Sequence, residues 1–470
     1  MKNMSKKTRL TLMIAVLLLY FANPSAIAST SEEPSGQESG IHIYVSPSGN
    51  DSNDGSIESP FATISKAASV AVPGAVVHVA PGVYNEVINL NRSGTPENRI
   101  RYVSDVKWGA KIEVNTTQTP VGVNGAYIDF EGFEVTGMAT HGIIIRGSHT
   151  RVIGNHVYGF APLDSQNTNS GGAGIVTYNN AYSMTDIDIV GNVVHDIGNE
   201  KSNFIHGIYT AGNDIRVYNN IVYNNAGWGI HAWHAANNNV FSNNLVFGNK
   251  TGGIIVGAGD GPGGVTADHF VVTNNIVVYN SGYAIQELGY TGVNNRYENN
   301  LVYGNEYEIL LKNNLTDLNT LKVDPQFVDF KADGSGDYRL MSTSPAIDAG
   351  SLLGAYPTDY EGNARQYGNA VDIGPYEWYP AQVEELLTLI DGYEQSGELQ
   401  HPLAVQLRNN ANQALHHLNN GGTEQAIKSL EDVLKHLHNG AMQPFVSETA
   451  AKELDKKTND LIRQWEAGIV

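Results

Sequence analysis

One phrase constrains this chain more than any other. A small residue or asparagine, then asparagine, then an apolar triplet recurs through its middle: Gly154-Asn155-His156-Val157-Tyr158, Gly191-Asn192-Val193-Val194-His195 and Asn219-Asn220-Ile221-Val222-Tyr223. It continues as Asn243-Asn244-Leu245-Val246-Phe247, Asn274-Asn275-Ile276-Val277-Val278 and Asn299-Asn300-Leu301-Val302-Tyr303. Successive second asparagines lie 37, 28, 24, 31 and 25 residues apart. A period in the twenties that varies only by insertion marks a solenoid, each repeat being one coil.

A second phrase follows within each coil: His141-Gly142-Ile143, Ala173-Gly174-Ile175, His206-Gly207-Ile208, Trp228-Gly229-Ile230, Gly252-Gly253-Ile254 and Tyr283-Ala284-Ile285. Short β-branched runs separated by Asn and Gly turns show no helical period. The leucine frame of leucine-rich repeats is absent, and propeller blades need about 40–50 residues each. The pattern predicts a mainly β fold: a right-handed parallel β-helix with three strands per coil. Asparagines recurring at one turn are expected to stack as a hydrogen-bonded ladder rather than to hold a ligand.

Composition narrows the chemistry. The absence of cysteine excludes a disulfide scaffold, thiolate metal sites and a cysteine nucleophile. Acidic residues outnumber basic ones 48 to 28, for a formal charge of −20, which argues against nucleic acid or anionic lipid as a partner.

Both ends depart from the repeat. Lys2, Lys6, Lys7 and Arg9, the apolar run Leu10–Phe21 and Ala26-Ile27-Ala28 read as a secretory signal over residues 1–28. Residues 29–40 read as a disordered lead-in. No later run approaches a membrane span. The β-helix domain is expected over 41–379, opened by an amphipathic helix at Phe61–Ala68 that covers the solenoid's end. Asp51-Ser52-Asn53-Asp54-Gly55 has the wrong spacing for a calcium loop, so Asx turns are expected there. Past Pro380, apolar residues at three- and four-residue spacing predict an α-helical bundle over 380–470. Its helices are placed at about 381–396, 401–419, 423–439 and 447–466, with Thr423 and Ser447 as N-caps. His401, His416, His417, His436 and His438 lack a carboxylate motif beside them and are read as packing and surface residues.

Three stretches carry resemblances. Tyr44-Val45-Ser46-Pro47-Ser48-Gly49-Asn50-Asp51, Pro60-Phe61-Ala62-Thr63-Ile64 and Pro81-Gly82-Val83-Tyr84 resemble the start of secreted right-handed β-helix proteins of the pectate-lyase-like superfamily. Ser344-Pro345-Ala346-Ile347-Asp348-Ala349-Gly350 and Asp372-Ile373-Gly374-Pro375-Tyr376-Glu377 resemble the closing element of such proteins. The C-terminal segments Tyr393–Leu399, Ala414–Leu418 and Ala441–Gln443 resemble the FIMAH domain, an accessory module of secreted enzymes from Gram-positive bacteria. The resemblances imply an extracellular location, a polysaccharide substrate and, through the C-terminal module, a cell-wall or matrix glycan as partner.

Alternation locates the chemistry. If the Ile at the third position of the second phrase points inward, the fourth and sixth positions point outward. The fourth column is then Ile144, Val176, Tyr209, His231, Ile255 and Gln286; the sixth is Arg146, Tyr178, Ala211, Trp233, Gly257 and Leu288. Inserts at 161–172, 198–205 and 259–268 flank the same face, and the second brings Lys201 ahead of His206. The candidate catalytic residues are His231, Tyr209, Arg146, Lys201 and His206. Trp233, Tyr178, His234 and Gln286 are the candidate sugar contacts.

The outward columns hold no Asp or Glu, whereas glycosidic hydrolysis normally needs two carboxylates. β-Elimination on a uronate needs a cation for the carboxylate, a base and an acid, parts these residues can fill. The leading expectation is therefore a polysaccharide lyase acting on an alginate- or pectin-like chain. A glycoside hydrolase using Asp164, Glu200 or Asp260 and a non-catalytic glycan-binding β-helix stand as alternatives. Lyases of the resembled fold often use acidic calcium ligands. With no acidic cluster on this face, calcium stays an option without assigned residues, and no metal ligand is named. Mannuronan epimerases of similar shape carry Asp-Pro-His-Asp, and the nearest segment here, Tyr158–Pro162, lacks the His-Asp pair. The net negative charge sets a condition: an acidic protein repels polyuronates unless its cleft is locally basic.

Overall fold

The computed structural model describes residues 40–160, 171–259, 265–380 and 382–467. Residues 1–39, where a signal and most of a lead-in are expected, and Asp164 and Asp260 lie outside these residues. Three parallel sheets of 10, 9 and 9 strands run the length of the repeat, each strand pairing with its counterpart one coil away. One coil shows the plan. Asn213–Tyr218 belongs to the first sheet, Ile221–Tyr223 to the second and Trp228–Ala232 to the third, before the chain returns to the first at Val240–Ser242.

The asparagine phrase is explained at the corner between the first two sheets. Its leading residue takes a left-handed backbone conformation, with φ of 63° at Gly154 and Gly191 and 53–57° at Asn219, Asn243, Asn274 and Asn299. Gly and Asn tolerate that conformation best, which is why the position alternates between them. The second asparagine builds the expected ladder. Asn244 Oδ1 accepts from the Asn220 N–H and Nδ2, both at 3.0 Å, while Asn244 Nδ2 donates to Asn275 Oδ1 at 2.9 Å. Asn155, Asn192 and Asn300 continue it in both directions. A second ladder, Asn225, Asn249, Asn280 and Asn305, stands at the next corner.

Isoleucine, valine and phenylalanine fill the interior of the coils, among them Ile143, Ile175, Ile208, Ile230 and Ile254, all fully buried. The opening helix spans Ile64–Val70 rather than starting at Phe61. Thr63 is its N-cap, accepting from the Lys66 N–H at 3.1 Å, and Phe61 bridges to Val45 as part of the sheet edge. Asn50 and Asp54 accept from the N–H groups of Ser52 and Ser56, as Asx turns do. The segment from Phe327 to Ile373 folds back over the outer face of the second sheet, burying Tyr223, Phe247 and Ile276 against Phe327, Tyr338 and Ile373.

Four α-helices follow, at Val383–Ser396, Leu403–Asn419, Thr423–Leu437 and Glu448–Glu466, around their own apolar core. Ser447 caps the last, as its sequence suggests, but Gly422 rather than Thr423 occupies the N-cap of the third. His438 Nε2 meets Asp455 Oδ1 at 2.5 Å, an ion-pair position. Lys456 pairs with Asp337 at 2.7 Å and Arg339 with Asp460 at 3.3 Å, tying the helices to the closing segment.

Candidate active site

The third sheet places the fourth column as alternation requires. Ile144 pairs with Val176, Val176 with Tyr209, Tyr209 with His231, His231 with Ile255, and Ile255 with Gln286. Glu287 faces inward, where its carboxylate accepts from Asn295 Nδ2 and Tyr297 Oη, each at 2.8 Å, and braces the last coils.

The first position of the phrase behaves differently. Strict alternation would send it inward with the isoleucine two residues on. The intervening glycine prevents this. A Cβ on Gly174, Gly207, Gly229 or Gly253 would stand 2.3–2.4 Å from Cγ1 of Val194, Val222, Val246 or Val277, so this position also faces the packed interior. Two successive inward residues turn the one before them outward. His141, His206, Trp228 and Tyr283 thereby join the outer face, which sequence alternation alone concealed for all but His206.

The result is a cleft of about 790 Å³. Its lining includes eight of the nine candidates: Lys201, His206, Tyr209, His231, Trp233, His234, Tyr178 and Gln286. Arg146 lies elsewhere, its Nη1 donating to Asn124 Oδ1 at 3.0 Å, one coil toward the N-terminus. At the centre the rings of His206 and His231 are 4.1 Å apart, and Tyr209 meets His231 edge-on at 4.9 Å. His234 stacks on Tyr182 at 4.4 Å and approaches Tyr209 at 5.9 Å. Trp233 lies across the coils beyond it, its ring taking the space that side chains on Gly257, Gly259 and Gly289 would fill. Phe204, Trp228, Tyr283, Tyr307 and Glu306 also line the cleft, none of them singled out by the column map.

Burial sets the protonation of the imidazoles. His206 is pulled down to about 3 by desolvation, and its Nδ1 accepts from the Trp228 N–H at 3.2 Å, which assigns its proton to Nε2. His141 is lowered to about 4, by burial first and then by the charge of Arg146, and its Nδ1 accepts from the Ala173 N–H. His231 lies well below the usual histidine range through burial, reinforced by His206 and His234. Its Nδ1 is buried without a hydrogen-bond partner among the described residues. The three rings are neutral at pH 7.

Calcium does not fit this lining. It takes six to eight oxygen ligands, several from carboxylates, whereas the lining carries one carboxylate among the described residues, Glu306. Among those residues no group of three or more His, Cys, Asp or Glu could hold a metal ion.

Fold and cleft together define a right-handed parallel β-helix with an aromatic-walled groove on one sheet. The family described as "Pel9A-like, right handed beta helix region" matches residues 43–319, and the chain belongs to it. The FIMAH domain family matches residues 383–463. The uncharacterized protein YwoF of Bacillus subtilis (strain 168) is 29% identical, covering 59% of this chain and 78% of its own length. Pectate lyase L of Dickeya dadantii (strain 3937) is 23% identical over 77% of this chain and 96% of its own. The crystal structure of pectate lyase Pel9A shares the fold, with a TM-score of 0.52 and 18% identity, covering 72% of this chain and 96% of that one.

Proposed function

We propose that this protein is a secreted polysaccharide lyase that cleaves a uronate-containing chain by β-elimination in the cleft of the third sheet. The observation that carries the reading is the central trio. Tyr209 and His231 are register partners on the cleft floor, their rings meet edge-on, and His206 packs against both. Kinship with the Pel9A-like family and with a pectate lyase supports the same class.

In this scheme Lys201 pairs with the uronate carboxylate, which acidifies the C5 proton. His231 takes that proton, and the C5–H electron pair becomes the C4–C5 double bond. The C4–O4 bond breaks, and O4 receives the Tyr209 proton. The depressed basicity of His231 is restored by the substrate itself, since a carboxylate within about 4–6 Å favours the protonated ring. His206 is a positioning residue, fixed by Trp228. Trp233 and Tyr178 offer ring faces to sugars, and His234 and Gln286 offer polar edges.

Arg146 enters this scheme only if its guanidinium leaves Asn124. The hydrolase reading is weaker because Glu200 does not line the cleft. The helical region is assigned the anchoring role of a wall- or matrix-glycan module. Incubation with acidic and neutral polysaccharides tests the whole reading. A lyase produces the ultraviolet absorbance of an unsaturated uronate, a hydrolase produces reducing ends without it, and a binding protein produces neither.

A further inference from the structure

The column of register partners from Val176 through Tyr209, His231, Ile255 and Gln286 to Leu310 spans five steps between coils. At about 4.8 Å per step this is a floor of roughly 24 Å, long enough for several linked sugar rings. Along it, among the described lining residues, Lys201 is the one permanent cation and Glu306 the one carboxylate. Segments 161–170 and 260–264 lie outside the described residues.

Nearby cations turn elsewhere: Arg146 to Asn124, Lys250 to the Asn199 carbonyl and Lys312 to the Gly289 carbonyl. The imidazoles of His141, His206 and His231 add no charge at neutral pH. The lining is instead rich in aromatic residues, Tyr178, Phe204, Trp228, Trp233, Tyr283 and Tyr307.

A homopolyuronate would bring a carboxylate on every ring to a floor with one lysine, in a protein of formal charge −20. Apart from a carboxylate at Lys201 and any within the field of Arg146, which reaches His141, those carboxylates would be set against aromatic carbon or near Glu306, a cost with little compensation. Uncharged rings on either side of a single free uronate would instead place their C–H faces on the aromatic walls. We infer that the cleft selects a sparsely charged uronate polymer, one free uronate at Lys201 flanked by uncharged sugars, rather than a homopolyuronate. This rests on the lyase reading above.

The chemistry could come from a chain in which uronate alternates with neutral sugars or from a methyl-esterified polyuronate. The test compares kcat/KM of the full chain on three polymers at low ionic strength: a de-esterified homopolyuronate, its highly methyl-esterified form and an alternating uronate–neutral sugar polymer. One or both low-charge polymers should be favoured by about tenfold or more, the scale on which a cleft's field alters capture of charged ligands. Which of the two wins identifies the source. Gln286→Lys, which adds a cation to the floor, should narrow that ratio by raising the rate on the homopolyuronate, with an unchanged melting temperature as the check on folding.

A ratio near one, or a homopolyuronate cleaved fastest, overturns the charge inference and leaves the lyase reading standing. Absence of unsaturated product from all three polymers overturns the lyase reading instead. Titrations of the same polymers against the protein then decide the charge preference through binding alone, and tighter binding of the homopolyuronate would overturn it.

Discussion

The corner between the first two sheets and the floor of the cleft are built from the same coils and follow opposite rules. At the corner six successive coils supply the same residue, and each buried amide from Asn155 to Asn275 is paired with the next. On the floor the equivalent positions hold Val176, Tyr209, His231, Ile255 and Gln286 in turn, and a buried imidazole nitrogen has no partner among the described residues. In a repeat, uniformity marks the positions that hold the stack together, and departure from uniformity marks positions free to do something else. The unpaired nitrogen is not peculiar to the floor, since Thr210 Oγ1 and Asn239 Nδ2 elsewhere in the coils are also buried without a partner among the described residues; what sets the floor apart is the change of side chain from coil to coil.

The contrast is broken most severely from the floor side. His231→Ala and Tyr209→Phe should each lower kcat by about a hundredfold or more, the usual contribution of a general acid or base, with melting temperatures close to wild type. A loss of stability equal to the loss of activity would assign these rings to packing. From the corner side, Asn244→Ala should behave in the reverse sense. It strands the Asn220 backbone N–H, while the Asn220 amide keeps the Ile189 and Tyr218 carbonyls and the Asn275 oxygen keeps the Asn244 N–H. The cost should be about 1–3 kcal/mol in denaturant unfolding, with kcat per folded molecule unchanged.

A third substitution tests the link between the two. Gly207→Ala would set its Cβ 2.4 Å from Val222 Cγ1. The overpacking should cost about 1–3 kcal/mol and shift His206, lowering activity as well. Adding Val222→Ala removes that contact but not those with the Gly229 carbonyl at 2.7 Å and Asn225 Nδ2 at 2.8 Å, so only part of the stability should return. If stability recovers while activity stays low, the glycine acts on the site through His206.

The smallest effect is a pH dependence. His206 stays neutral in the fold down to about 3, whereas in the unfolded chain it takes up a proton near 6.5. The stability present above pH 6.5 is therefore lost as pH falls through the range between those values, because the unfolded state binds the extra proton. His206→Gln should flatten the slope of unfolding free energy there by at most about 1.4 kcal/mol per pH unit.

Much of this is legible in the sequence alone. The spacing of Asn155, Asn192, Asn220, Asn244, Asn275 and Asn300 carries the coil, and alternation from the core isoleucine carries Tyr209, His231 and Gln286 to one face. The first column was hidden because a glycine with no room for a Cβ breaks the alternation, and nothing in the local sequence says which valine faces it. The second ladder has a sequence signal of its own. Asn225, Asn249, Asn280 and Asn305 each stand five residues after a member of the first. Arg146 shows the limit of columns, since register fixes where a side chain starts but not which way a long one turns.

Trp233 carries a lesson about exchange of parts. Its ring rests over Gly257 and Gly259 of one coil and Gly289 of the next, so the choice of residue in one repeat is written into two later ones. Solenoids are often treated as strings of interchangeable beads. Here a graft that moves the tryptophan coil without its two successors would collide with ordinary side chains, and one that moves the successors alone would leave bare glycine. The smallest transplantable piece of this cleft is three coils.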